Sequence, residues 1–402
     1  MTEDPAPATA DPPTPQARRA LMALGMAAFL YLGGLQAAYG PSFAALQARF
    51  GVGLGEVGSS VGAHFLGGFV GVMASGLLLA RFGYRPLLVA ASLLVAAGAA
   101  TIALAPAWGV ALLGALVIGL GYGHSVVLYN FLFARAFAPR GAAAVNLING
   151  GFGIGAVVVP ALVGWTTALR LARAPDGIAG VTPLVFGAIA LLGVALALAV
   201  LRAPGLAATP SGGGPRRRGR GPVAAAALFA ALMFVYVAAE VGTSAWAPTH
   251  LAGQVGAARG ALAASVFWVA MTVGRFGAAA LAGRWRSRDL VLGAAALGLG
   301  GLLVAALPGL ALVGYALAGV ALGPVFPTTV VWVQQRFGAR AEQVGSLVLA
   351  AGNLGPVVGA PAIGLVVAAI GTDAIPLVLA AVAGALLALV AAAWRGDRRP
   401  AG

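Results

Sequence analysis

Cysteine is missing from this sequence, so disulfides, thiol nucleophiles and thiolate metal sites are all excluded. Lysine is missing as well, and every basic residue is an arginine. Histidine occurs only at 64, 124 and 250, too widely scattered for a metal cluster. Charge of any kind is scarce: 8% of the residues, where an ordinary soluble chain carries about a quarter. No Walker-type phosphate loop is visible, which counts against an ATP-driven pump. The run GGFGIG (150–155) sits inside an apolar segment with no strand before it, so helix packing explains it better than a nucleotide does. An enzyme needs a nucleophile, a metal or an acid–base pair. With isolated histidines and a single deep acid none is in view, and neither a cofactor nor a metal is expected.

What remains is apolar. Hydrophobic residues make up 61% of the chain, more than a soluble fold hides from water and what a bilayer accepts. The 61 glycines suit helices that approach closely in lipid. Twelve apolar runs of about 20–25 residues are each long enough to cross a hydrocarbon core of about 30 Å. They cover 20–43, 57–80, 86–105, 108–132, 141–165, 180–201, 222–247, 258–282, 288–307, 309–333, 343–369 and 373–394. Outer-membrane strands need only about 10 residues, so the expected class is an all-α membrane protein with twelve transmembrane helices.

The net charge of +14 could suggest nucleic acid, but the placement of the arginines argues otherwise. Most fall in loops on the side of the N-terminus: Arg18 and Arg19, Arg81 and Arg85, Arg135 and Arg140, Arg202 to Arg220, Arg284 to Arg288, Arg336 and Arg340, and Arg395 to Arg399. The opposite loops hold Arg49, Arg170, Arg173 and Arg259. The positive-inside rule then puts both termini in the cytoplasm and the protein in the cytoplasmic (inner) membrane, and the even span count agrees.

Residues 1–17 are proline-rich and read as a disordered tail. Residues 203–221, APGLAATPSGGGPRRRGRG, form a flexible basic linker beside anionic lipid. That linker separates two six-helix bundles, 18–202 and 222–396, followed by a short tail, 397–402. The bundles repeat one another. At an offset of 203 Arg81 falls on Arg284 and Arg85 on Arg288. At an offset of 200 Gly119, Gly123, Phe137, Arg140, Gly155 and Gly164 fall on Gly319, Gly123's counterpart Gly323, Phe337, Arg340, Gly355 and Gly364. A parallel repeat of two pseudo-symmetric bundles follows.

On these features the sequence resembles the major facilitator superfamily. The loop from Gly76 to Arg85 (GLLLARFGYR) is similar to the family's Gly-x-x-x-Asp-Arg-x-Gly-Arg signature through Gly76, Arg81, Gly83 and Arg85, with Ala80 where the family has an acid. The resemblance makes these four candidates for a gating loop. NLINGGFGIGAVVVP (146–160), AEVGTSAWAPTHL (239–251) and GPVFPTTVVWVQQRFG (323–338) resemble the fucose–proton symporter and related sugar transporters. That branch carries acids in spans one and four, where this chain has none, so proton coupling does not follow from the resemblance.

Glu240 is the one acid well inside a span. Such a charge needs a partner or a water-filled cavity. A carboxyl out of water prefers its neutral form, so a site whose solvation alternates can bind and release a proton. His64 and His124 are the further proton-coupling candidates. Arg275 is the one arginine deep in a span. If each helix starts at the membrane surface, a rise of about 1.5 Å per residue puts Glu240 and Arg275 at different depths, so a direct pair needs long side chains, strong tilt or shifted span boundaries. Thr243 and Trp246 share a helix face with Glu240 and offer a hydroxyl and a stacking surface for a solute. Gln36, Tyr39, Asn130, Asn146, Asn149 and Asn353 complete the expected substrate-binding set, with Trp268 and Trp332 as additions, and Phe326-Pro327 is expected to break span ten. The expectation is a monomeric secondary transporter of a small neutral hydroxylated solute such as a sugar, with protons as possible co-substrate and the lipid bilayer and no nucleic acid as partner. A lone deep acid among aromatics also suits a lipophilic-cation exporter, and Arg275 would suit a carboxylate if it reached the cavity.

Overall fold

The computed structural model describes residues 15–203, 206, 223–281 and 284–398. Most of the basic linker, nearly all of the N-terminal tail and residues 399–402 of the C-terminal tail lie outside the described residues. Twelve membrane-length helices run in order: α1 (Pro15–Phe50), α2 (Leu54–Phe82), α3 (Tyr84–Leu104), α4 (Trp108–Ala136), α5 (Ala143–Arg173), α6 (Gly177–Arg202), α7 (Val223–Val255), α8 (Ala257–Ala278), α9 (Ser287–Ala305), α10 (Ala311–Phe337), α11 (Gln343–Ile370) and α12 (Thr372–Asp397). No strand occurs among the described residues. The first helix begins at Pro15, inside the stretch expected to be a tail; proline suits a first helical turn, where its missing N–H is no loss.

The two halves pack by one plan. In the first, α1 lies on α5, α2 on α4, and α3 on both α4 and α6. In the second, α7 lies on α11, α8 on α10, and α9 on both α10 and α12. In lipid there is no hydrophobic drive to pair helices, so close van der Waals contact does the work. Glycine at 119 and 319 shows how. A Cβ on Gly119 of α4 would collide with the backbone oxygen of His64 in α2, and one on Gly319 of α10 with that of Phe267 in α8. The partners stand 203 apart and the glycines 200 apart, so the repeat read in the sequence is a repeat of backbone contacts. Large apolar side chains such as Leu77, Leu104 and Leu191 cover the outside, an arrangement that fits acyl chains and not water.

Pro324 and Pro327 interrupt α10, whose two parts are Ala311–Leu322 and Val325–Phe337. The break falls at Gly323-Pro324, just before the expected Phe326-Pro327. Pro327 still causes part of it: it has no N–H to give the Gly323 carbonyl four residues back.

With twelve crossings the chain ends share one face, here the terminal face; the other is the distal face. The halves meet in the distal part. A Cβ on Gly40 of α1 would strike the backbone of Ala245 in α7, and one on Gly58 of α2 would strike Ala360 in α11. Ser265 Oγ of α8 donates to the Val157 carbonyl of α5 at 2.7 Å.

Candidate transport site

The deep acid and the deep arginine meet. Arg275 Nη2 lies 3.7 Å from Glu240 Oε1, which corrects the expectation of different depths. The error lay in starting each helix at the membrane surface. The helix of α7 has 33 residues, about 50 Å at 1.5 Å each, so it overshoots a core of about 30 Å and Glu240 falls at its middle. The long arginine side chain closes the remaining gap.

The break in α10 explains why Arg275 points there. Its Nε donates to the Gly323 carbonyl at 3.2 Å, the group that Pro327 leaves without a helical donor. The neighbouring Leu322 carbonyl accepts from the Tyr236 hydroxyl at 3.1 Å. Tyr236, one turn before Glu240 on α7, also interacts with the side chains of Glu240 and Arg275. Three helices of the second half are thus joined at the level of the middle of α7 through one acid, one base and one phenol. Glu240 is buried, whereas the Arg275 side chain remains 40% exposed.

The first half offers a neutral version. Tyr122 of α4 donates its hydroxyl to Gln36 Oε1 of α1 at 2.6 Å. Gln36 is the repeat counterpart of Glu240: Gly155 packs on the Leu30 carbonyl as Gly355 packs on that of Phe234, an offset that places 36 on 240. Tyr122 is within electrostatic reach of Glu240, so the two arrangements face each other across the halves. Behind Tyr122 lies the His64 ring, with centroids 4.9 Å apart, and Tyr39 OH sits 3.4 Å from His64 Nδ1. His64 Nε2 is buried and without a hydrogen-bond partner. Asn149 of α5 donates to Asn130 Oδ1 of α4 at 3.1 Å, and Tyr122, Val126 and Asn130 form one stripe on α4.

The other candidates lie elsewhere. Thr243 is buried and returns its hydroxyl to the Ala239 carbonyl of its own helix. Trp246 is buried in the distal contact between halves, donating to the Ala360 carbonyl at 3.1 Å, with its ring 5.0 Å from that of Phe43. Trp268 joins the same contact through Ser244 Oγ and Phe152. His124 bonds Ser75 Oγ at 2.8 Å, between α4 and α2. Asn146 is exposed on α5, and Asn353 of α11 is half-buried and bonds the Leu349 carbonyl. The loop residues stand at the terminal face: Gly76 and Arg81 are exposed, Gly83 turns the chain at φ +76°, and Arg85 donates to the Ala203 carbonyl at 2.7 Å. Trp332 also lies at that face, donating to Asp397. Among the described residues no His, Asp or Glu group is placed to hold a metal. Sequence reasoning missed Tyr122 and Tyr236; the signal was a phenol inside an apolar run, within one helical turn of a polar residue.

A family model described as Major Facilitator Superfamily matches residues 24–346. The chain belongs to the major facilitator superfamily. It is therefore a multi-pass membrane transporter and not an enzyme. No curated protein matches the chain. Solved structures agree on the fold. It is similar to the xylose transporter XylE from E. coli in its inward-open conformation, with 13% identity, 95% of this chain and 96% of that chain covered, and a TM-score of 0.76. The nucleoside transporter NupG shares 15% identity over 96% of this chain and 100% of its own, with a TM-score of 0.74. The fucose:proton symporter FucP from E. coli shares 18% over 92% and 98%, with a TM-score of 0.59.

Proposed function

We propose that this superfamily transporter moves a small, uncharged, hydroxyl-rich solute such as a sugar by alternating access, with Glu240 as its proton-responsive group. The observation that carries the reading is the Glu240–Arg275 pair opposite Gln36 and Tyr122. An unpaired acid would suit a lipophilic cation. Paired, the site has no net charge, and the facing groups are neutral donors and acceptors that suit hydroxyls. The names of the structural neighbours, which include a D-xylose-proton symporter and nucleoside and fucose transporters, support the same solute class. With the arginine-rich terminal face in the cytoplasm, the distal contact between halves is the outer gate and the structure is the inward-open state. Protonating Glu240 turns an acceptor into a donor and frees Arg275, which gives the pair two arrangements that a proton gradient can bias.

The test is uptake into proteoliposomes, preceded by a thermal-shift screen with sugars, nucleosides and lipophilic cations. A solute at about 100 times its dissociation constant stabilises the folded state by about 2.7 kcal/mol. Glu240→Gln should keep solute exchange and lose pH-driven accumulation. Accumulation with unchanged pH dependence sinks the proton role, and stabilisation by cations alone sinks the solute class. A second reading has one observation in its favour: the Arg275 side chain is partly exposed and could anchor a carboxylate. Stabilisation by small carboxylates, lost in Arg275→Gln, would select it.

A further inference from the structure

The second half carries a cavity of about 570 Å³ at the terminal face, where α9 begins and α10 and α12 end. Its lining includes Arg286, Ser287, Arg288, Trp332, Arg336 and Asp397. Asp397 is occupied: it pairs with Arg336 and accepts from Trp332 Nε1 at 2.8 Å. Arg288 gives one guanidinium nitrogen to the Asp397 carbonyl at 3.2 Å, while its Nε is buried without a hydrogen-bond partner and lies 3.8 Å from Asp289. Three arginines thus stand against two carboxylates, Asp397 and Asp289, each of which already accepts from a tryptophan N–H, which leaves one cation in excess. Arg286 is the N-cap of α9 and no side chain caps this 19-residue helix; the Arg286 carbonyl takes the Asp289 N–H at 3.0 Å, which leaves the N–H groups of Ser287 and Arg288, both lining residues of the cavity, without a side-chain cap.

The first half shows what this place looks like when closed. By the offset of 203, Ser287 corresponds to Tyr84. Tyr84 is buried and hydrogen-bonded to Arg135, and its ring fills its own bundle at this point. Gly83 stands where Arg286 stands, and at the offset of 200 that relates α4 to α10 Leu132 stands where Trp332 does and Ala136 where Arg336 does. Only the Arg85 and Arg288 positions match. Arg135, which holds Tyr84, falls on the lining residue Gln335, so the second half has lost a filler and gained one cation on balance at this spot, which packing alone does not require.

We propose that this cavity binds a phosphate-bearing anion, either the headgroup of an anionic phospholipid or a free phosphate. Guanidinium groups and uncapped helix N–H groups are the donors that phosphate oxygens accept from. The apolar part of the lining, with Ala278, Leu290 and Val331, accommodates what the phosphate is attached to.

The experiment uses the purified full chain in detergent, titrated with short-chain phosphatidylglycerol, with inorganic phosphate and with diacylglycerol, read by tryptophan fluorescence and by native mass spectrometry. Saturable binding of phosphatidylglycerol alone assigns a lipid headgroup. Binding of inorganic phosphate assigns a free phosphate. Either supports the site provided diacylglycerol does not bind. Arg286→Ala should weaken binding about fivefold, the worth of one arginine near an anionic group. Ser287→Tyr, which copies the filler of the first half, should abolish it, with the unfolding temperature of both variants unchanged. Absence of phosphate-dependent binding, or binding indifferent to both substitutions, overturns the proposal.

Discussion

The two halves of this transporter share a backbone and differ in chemistry. Where α1 of the first half places Gln36, bonded to a tyrosine, α7 of the second places Glu240, paired with Arg275. Where the first half fills its terminal end with Tyr84, the second leaves a cavity behind Ser287. The glycine contacts between α2 and α4 recur between α8 and α10. What repeats is what lets helices touch in lipid. What does not repeat marks where the halves have separate tasks, with the ionic work in the second.

The largest effect should come from breaking that contrast at its centre. Arg275→Ala leaves Glu240 buried without its partner. Removing one member of a buried pair costs about 3–5 kcal/mol, and the exposure of Arg275 puts this case near about 3. Gln36→Ala removes one neutral hydrogen bond and should cost about 1 kcal/mol. Thermal unfolding in detergent measures both. The double variant Glu240→Gln with Arg275→Met should recover most of the loss, since an ion pair exchanged for matched neutral groups is often close to neutral. Equal losses for Arg275→Ala and Gln36→Ala would mean that the pair carries no special weight.

The second contrast lies within each half. Gly119→Val and Gly319→Val each push a side chain into a backbone oxygen of the neighbouring helix. Overpacking of this kind costs about 1–3 kcal/mol, and the deeper overlap at Gly119 predicts the larger loss in the first half. Gly300→Ala in α9 meets nothing within reach and should be neutral or slightly stabilising. A tolerant Gly319 beside an intolerant Gly119 would show that the repeat has loosened in the second half.

These glycines also show what could be read before the structure. Twelve spans, the repeat and the deep acid all follow from hydrophobic length and spacing, because lipid forces helices and penalises charge locally. The Glu240–Arg275 pairing does not, because it depends on how far helices overshoot the bilayer and on a carbonyl freed by Pro327 three helices further along. Trp246 shares a helix with Glu240, yet its ring belongs to the contact between halves; which face of α7 meets which neighbour is a tertiary fact. The cavity behind Ser287 was legible only by comparison, by setting Ser287 against Tyr84 at the repeat offset.

The smallest effect tests a polar contact that both halves keep. Arg85 donates to the Ala203 carbonyl just beyond α6, and Arg288 donates to the Asp397 carbonyl at the end of α12. Each places a cation on the carbonyl end of the last helix in its bundle, where the helix dipole is negative. A cation there is worth about 0.3–1 kcal/mol, so Arg85→Ala and Arg288→Ala should each lower stability by no more than that. Arg85 is exposed and should fall at the low end; Arg288 is more enclosed and also lies near Asp289, so it should fall at the high end. Arg288→Ala should in addition weaken phosphate binding, which Arg85→Ala should leave alone. If the two substitutions prove equal in stability and neither touches binding, Arg288 is a helix cap and nothing more, and the anion site must rest on Arg286 and the open first turn of α9.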